Sequence, residues 1–117
     1  MVEWLDQLYL DGFTKRAAKH IKEKVEKEKL QYPVFCVSLA SNPDNLLDII
    51  NVNELLFPYY KKQTCYILGL ASSRRQAMIM AAAILTKLYR ETGSLDVRTF
   101  YEKKFQGVLS SKNTKEE

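Results

Sequence analysis

Hydrophobic residues form two short continuous runs, at residues 34–39 and 65–70, and recur at helical spacing in the stretches between and beside them. A continuous apolar run of this length, without polar alternation, is typical of a strand that is covered on both faces. The second run leads through Ser72 and Ser73 into a long periodic stretch that ends at Gly93. This pattern predicts a buried strand, a serine-capped loop and a long core helix closed by a left-handed glycine.

The N-terminal stretch also follows a helical pattern. Apolar residues recur at nearly every fourth position from Leu5 to Val25, and this spacing predicts an amphipathic helix over residues 3–30. The pair Asp11-Gly12 interrupts it, since glycine costs about 1 kcal/mol relative to alanine inside a helix. We therefore expect either a kink or a break into two helices near Gly12.

The segment between the two apolar runs predicts a further helix. Ser41 and Asn42 are capping residues, and Pro43 suits the first position of a helix over residues 43–50. A strand, a helix and a strand in that order fit a right-handed parallel crossover. The predicted fold class is therefore α/β, a small αβαβα domain built on one right-handed βαβ unit.

The segment after Gly93 has two interpretations. Leu95, Val97 and Thr99 alternate with polar residues, as in a third, edge strand. Alternatively, Asp96 caps a short helix over residues 98–105. We prefer the helix.

Length and composition indicate one domain. The chain has 117 residues, of which 46% are hydrophobic, and we expect a single α/β domain over residues 1–107 with a disordered polar tail over residues 108–117. No apolar stretch approaches the roughly 18 residues of a membrane span, and no signal-peptide pattern is present. We expect a cytoplasmic protein without a membrane partner. Cys36 and Cys65 lie within the apolar runs, as buried thiols of a reducing compartment do.

Surplus apolar surface predicts self-association. Two strands leave open sheet edges, and Ile79, Met80 and Ala83 lie away from the core stripe of the long helix. We expect a homodimer or a higher oligomer. The centre of the buried stripe is expected at Leu85, where truncation to alanine should cost about 2–5 kcal/mol.

Metal and catalytic motifs are missing from the sequence. His20 is the single histidine and lies among lysines, whereas a zinc site needs three or four convergent ligands. Ser-His and Cys-His nucleophile pairs would all depend on His20. We expect no metal, no cofactor and no enzymatic activity.

One loop suggests a ligand site. Ser72, Ser73, Arg74 and Arg75 follow the second apolar run and open the long helix. The N-terminus of a helix attracts anions and disfavours cations, so two arginines there indicate a nearby negative group. We predict a ligand-binding site for a small anion at these four residues. The alternative is an ordinary serine cap followed by solvated arginines.

A secondary basic and aromatic patch precedes the second run, at Tyr59, Tyr60, Lys61 and Lys62. Interleaved aromatic and basic residues occur on surfaces that stack bases and hold phosphates. The net charge of +4 is modest for a nucleic-acid-binding protein, and no recognised reader motif is present. Nucleic acid is therefore not the favoured partner, and both tyrosines are alternatively packing residues.

Two segments of the chain, PYYKKQTCYILGLA at residues 58–71 and YRETGSLDVRTFY at residues 89–101, resemble small uncharacterised proteins of Firmicutes bacteria. The resemblance implies no activity and assigns no site residue. From the residues themselves we expect a non-enzymatic, self-associating module that binds a small anionic ligand or a protein partner. The alternatives are a nucleic-acid-associated protein that uses the basic C-terminal half, and an enzyme without a recognisable motif.

Overall fold

The structure is a computed structural model that describes residues 1–105, and within them four strands form one mixed sheet in the order β1-β4-β2-β3. The predicted α/β fold class is confirmed. The elements in chain order are β1 (Val2–Leu10), α1 (Gly12–Glu26), β2 (Phe35–Leu39), β3 (Leu47–Asn51), a 3-10 helix (Val52–Leu56), α2 (Pro58–Lys61), β4 (Cys65–Ala71), α3 (Arg74–Thr92) and α4 (97–105).

Hydrophobic side chains form two clusters, one on each face of the sheet. On one face, Ile21 and Val25 of α1 pack with residues of the strands and of the 3-10 helix. On the other face, α3 and α4 contribute Ala77, Ile84 and Tyr101, among others. The sheet is thus the central layer between α1 and the α3–α4 pair, which explains why β2 and β4 read as continuous apolar runs.

The helix predicted over residues 3–30 is correct only in its second part. The segment before Asp11 is the edge strand β1, which pairs in parallel with β4. Leu5 and Tyr9 contact the same hydrophobic cluster, and a spacing of four places residues on one side of either a helix or a strand. The expected break at Asp11-Gly12 is therefore a strand-to-helix boundary, with Asp11 extended as the N-cap of α1.

The helix predicted over residues 43–50 is wrong, because this segment ends in strand β3. The Asn42 side chain accepts a hydrogen bond from the Asp44 amide at 2.9 Å. The capping residues therefore form a turn instead of a helix start. After the turn, β3 runs back antiparallel to β2, with Ile49 opposite Val37.

The right-handed βαβ unit is also wrong, since β2 and β4 are antiparallel. The chain reverses direction between β2 and β3, which form a hairpin. Strand β4 then runs in the same direction as β3 and opposite to β2. The parallel pair is β1 and β4. Of the two interpretations for the C-terminal segment, the helix is confirmed as α4. The predicted domain limit at residue 107 and the predicted tail over residues 108–117 lie outside the described residues.

Helix α3 has the predicted boundaries. The Ser73 side chain accepts a hydrogen bond from the Gln76 amide at 3.1 Å, and Gly93 closes the helix with φ of 73°. Its buried stripe centres on Ile84, which is 1% exposed. Leu85 lies beside that stripe and is half-buried, so it is not the centre that the sequence pattern predicted.

Gly69 marks the closest approach of three elements. A Cβ atom at this position would lie 2.6 Å from Met80 Sδ of α3 and 2.8 Å from the Tyr9 carbonyl oxygen of β1. The methionine side chain is flexible, but the carbonyl oxygen belongs to the paired backbone and moves less readily. The absence of a side chain at Gly69 lets α3 pack directly on β4.

Truncation of Ile84 tests this assignment of the core. Ile84→Ala should lower the free energy of unfolding by about 2–5 kcal/mol, through lost burial and the cavity left behind. Leu85→Ala should cost less, because its side chain keeps contact with water. Urea denaturation of both variants measures the difference. A larger loss for Leu85→Ala would show that the buried face of α3 is wrongly assigned.

Candidate functional site

The carboxyl ends of β1 and β4 lie side by side at one end of the strands, because the two strands are adjacent and parallel. Asp11 follows β1 and begins α1, while Ser72 and Ser73 follow β4 and precede α3. The two helices pack on opposite faces of the sheet. In open α/β sheets, ligands bind at such points, where neighbouring connections diverge. The loop at residues 72–75, which the sequence predicted as a ligand site, lies at these strand ends.

The carboxylate of Asp11 joins the two strand ends. Its Oδ2 accepts hydrogen bonds from the Ser72 amide at 2.7 Å and from the Ser72 hydroxyl at 2.8 Å. Its Oδ1 accepts one from the Thr14 amide at 2.9 Å, the side-chain cap of α1. The Thr14 hydroxyl in turn lies 2.8 Å from the Leu70 carbonyl oxygen of β4. One acid thus caps α1 and holds the loop before α3.

The hydrogen bonds at Asp11 lower its pKa. Partial burial raises the pKa of the carboxyl group, but the donors from Thr14 and Ser72 outweigh this effect and hold the pKa at about 2. Asp11 is therefore a carboxylate at neutral pH. Because both of its oxygens already accept hydrogen bonds, it fits a structural anion better than a nucleophile.

The four residues predicted to bind an anion do different things. Ser72 donates to Asp11, and Ser73 caps α3. The Arg74 guanidinium carbon lies 5.1 Å from the centre of the Phe35 ring, a cation–π contact, and Arg75 is exposed. Binding of an external anion at residues 72–75 stays a prediction. Such a ligand would share the loop with Asp11, the negative group already present.

The place of Asp11 in this site was not predicted from the sequence. The spacing from Asp11 to Thr14 is a readable capping signal, because each side chain bonds the backbone amide of the other. The contact with Ser72 spans 61 positions, and no local pattern indicates a partner at that distance.

The secondary patch forms a short helical segment before β4. Tyr60 packs against the hydrophobic cluster on the α1 side. Burial raises the pKa of Tyr60, and the nearby Glu54 carboxylate raises it further. The Tyr59 hydroxyl lies 3.1 Å from the Ser41 hydroxyl. The Lys61 ammonium is 3.4 Å from the Glu28 carboxylate, with both side chains largely exposed.

The structure separates the predicted basic groups. Lys61 and Lys62 precede β4, whereas Arg74 and Arg75 follow it, and seven strand residues span about 23 Å. Arg98 donates hydrogen bonds to the Ala40 carbonyl oxygen and to the Glu102 carboxylate. The two basic clusters therefore do not merge into one surface.

Reactive side chains are scarce in the part of the chain that the structure describes. Residues 1–105 contain no group of three or more histidine, cysteine, aspartate and glutamate side chains placed to hold a metal ion. Cys36 and Cys65 are free and buried, and burial raises the pKa of both thiols, which makes them poor nucleophiles. Within the same residues, no helix has the length and apolarity needed to cross a membrane.

Comparison of the chain with protein-family models, with curated proteins and with solved structures gives no match. The resemblance described from the sequence therefore stays an expectation.

The hydrogen bonds that Asp11 accepts from Thr14 and Ser72 make the free energy of unfolding depend on pH. Its pKa falls from an ordinary value of 3.8 to about 2 in the folded chain. The extra stability is therefore fully present above about pH 4 and is lost as the pH falls through 2. Allowing for the partial exposure of the group, we expect about 1–2 kcal/mol from this linkage. Asp11→Asn should remove it.

Chemical denaturation of the wild type and Asp11→Asn from neutral pH to pH 2 measures the effect. The difference between the two proteins should be largest at neutral pH and should shrink below pH 4. Asp44→Asn, at an exposed turn, is the matched control and should follow the wild type. A difference for Asp11→Asn that is constant across this range would contradict the linkage.

Proposed function

We propose that this protein is a non-enzymatic module that associates with a second copy of itself through the outer face of α3. The observation that carries the proposal is the composition of this face, which is apolar although it points away from the core. A helix on the surface of a monomer normally exposes charged and polar residues there. The outer face comprises Arg75, Met78, Ile79, Ala82, Ala83, Thr86, Tyr89 and Arg90, all of which are exposed.

Three large apolar side chains on this face are exposed to solvent. Met78 is 58% exposed, Ile79 is 54% exposed and Tyr89 is 58% exposed. Residues 74–90 contain no acidic side chain. Contiguous apolar surface of this kind is typical of an interaction site. Of the three residues that the sequence pattern assigned to a partner, Ile79 and Ala83 lie on the outer face, whereas Met80 is half-buried against the core.

A second copy of α3 complements this face. The small side chains of Ala82 and Ala83 lie at its middle, where they let two helix backbones approach closely. In an antiparallel pair with its two-fold axis at Ala82, residues equally distant from Ala82 face each other. Arg75 of one copy then lies opposite Tyr89 of the other, a cation–π pair that the symmetry repeats.

The β1 edge of the sheet is a less suitable interface for a dimer. Strand β1 contains Glu3 and Asp6 and no basic residue. Antiparallel pairing of two β1 strands would bring four carboxylates together at the new junction, where like charges repel. The single helical contact at α3 buries less than a large obligate interface, so we expect a dimer that forms at micromolar concentration and dissociates on dilution below it.

Light scattering and sedimentation test the proposal. The chain has a mass of 13.6 kDa, and the wild type should show twice this mass at micromolar concentration. Ile79→Lys should give the monomer, because it adds a charge within the contact, about one helical turn from its axis at Ala82. Leu30→Lys is the matched control, since Leu30 is 72% exposed but lies in the loop after α1. A monomeric wild type throughout the micromolar range would refute self-association.

Cysteine cross-linking locates the axis. Cys36 and Cys65 are 0% and 6% exposed, so an introduced surface cysteine is the main reactive thiol. Ala82→Cys should form an intermolecular disulfide on mild oxidation, whereas Arg90→Cys should not, because it lies far from the proposed axis. A dimer that cross-links only through Arg90→Cys would contradict the antiparallel arrangement.

The anionic ligand and the nucleic-acid alternative stay predictions. The separation of Lys61 and Lys62 from Arg74 and Arg75 disfavours a continuous contact with a nucleic-acid backbone. The two classes differ in their response to salt, because nucleic-acid binding weakens steeply in proportion to the phosphates neutralised.

A further inference from the structure

A second surface feature lies away from the outer face of α3. A groove of about 500 Å³ runs between β1 and the ends of α3 and α4. Its volume is in the range of small-molecule sites, roughly 300–1,000 Å³. The floor is formed by buried side chains, among them Leu5, Leu88 and Tyr101, which is 4% exposed.

The floor carries a pair of tyrosine hydroxyls. Tyr9 and Tyr101 both line the groove, and their hydroxyl oxygens are 3.0 Å apart. Two hydroxyls carry two protons, and the bond between them uses one. Among residues 1–105 neither hydroxyl has another hydrogen-bond partner. The pair therefore retains one donor for a ligand, as well as acceptor capacity.

The tyrosine donor persists at neutral pH. Burial, the hydrogen bond with Tyr9 and the nearby Glu91 carboxylate all raise the pKa of Tyr101. The hydroxyl thus stays protonated and remains a donor.

The rim carries charges of both signs. Glu3, Asp6 and Glu91 are acidic, and Lys87 and Lys104 are basic. The ion pairs found within residues 1–105 involve none of these five side chains. Lys104 instead lies 5.1 Å from the centre of the Phe100 ring. Acidic and basic side chains that are not paired with each other can each contact the opposite charge of a ligand that carries both signs.

We propose that this groove binds a small zwitterion with an apolar side chain, either a free amino acid or a short peptide. The ligand carboxylate accepts hydrogen bonds from the free tyrosine proton and from a lysine of the rim. The ligand ammonium contacts the acidic side of the rim, and the apolar side chain covers Leu5 and Leu88. This site is separate from the proposed dimer contact and does not depend on it.

The test uses the full-length protein and defined probes, namely L-phenylalanine, L-leucine and the dipeptide L-leucyl-L-phenylalanine. Binding is followed by calorimetry and by NMR shifts of the tyrosine and leucine signals. At least one probe should bind and shift the signals of Tyr101 and Leu88. Phenethylamine and 3-phenylpropionate, which each keep one charge, should bind about tenfold more weakly than L-phenylalanine if that probe binds. Binding by none of the three probes overturns the proposal, and so does equal binding of the singly charged analogues.

Two lysines of α4 provide a matched pair of variants. Lys104 lines the groove, whereas Lys103 is exposed and does not. Lys104→Gln should weaken the bound probe about fivefold or more, and Lys103→Gln should leave its affinity unchanged. Both sites are on the surface, so folding should be kept, which thermal denaturation verifies. Equal effects of the two variants would mean that the probe binds elsewhere. Tyr101→Phe removes one hydroxyl of the pair and should also weaken the bound probe. Tyr32→Phe, at an exposed tyrosine, is its control and should leave the affinity unchanged.

Discussion

The contact between Asp11 and Ser72 connects the parts of this fold. It joins the carboxyl ends of β1 and β4 and fixes the starts of α1 and α3, the two long helices on opposite faces of the sheet. A charged acceptor with several donors makes stronger hydrogen bonds than a neutral one. The same carboxylate also affects the electrostatic cost of the two arginines that follow Ser73. The positive end of α3 already has a negative neighbour, so cations in its first turn are less costly than the sequence alone implied.

Helix α3 shows how one element serves several surfaces. Its buried stripe centred on Ile84 forms much of the core on one face of the sheet. The flank with Lys87 and Glu91 forms one wall of the groove, and the outer face with Met78 and Ile79 is left in solvent. Each surface occupies a different direction around the helix axis. Occupation of one surface therefore leaves the others accessible.

The sequence predicted those elements whose determinants are local. The strands β2 and β4 were readable because both of their faces are covered, and α3 was readable because Ser73 and Gly93 mark its ends. Strand β1 was missed because a spacing of four suits both a helix and a strand, and its partner lies more than 50 residues away. Strand β3 was missed because the turn at Asn42 uses the same residues as a helix cap. The segment at Ser72 lies between β4 and α3, as the sequence predicted, but its bond to Asp11 depends on the assembled sheet.

The pairing of β1 with β4 also determines when the sheet can be completed. Strand β1 begins at Val2, whereas its partner begins at Cys65. The β2–β3 hairpin is local and pays a small loop-closure entropy, whereas β1 must wait until the residues up to β4 have been made. During synthesis β1 is thus an unpaired apolar strand, the kind of segment that aggregates. The acidic residues Glu3 and Asp6 discourage mispairing of β1 with other chains. The two carboxylates that interrupt the apolar pattern of β1 therefore protect the strand before its partner has been made.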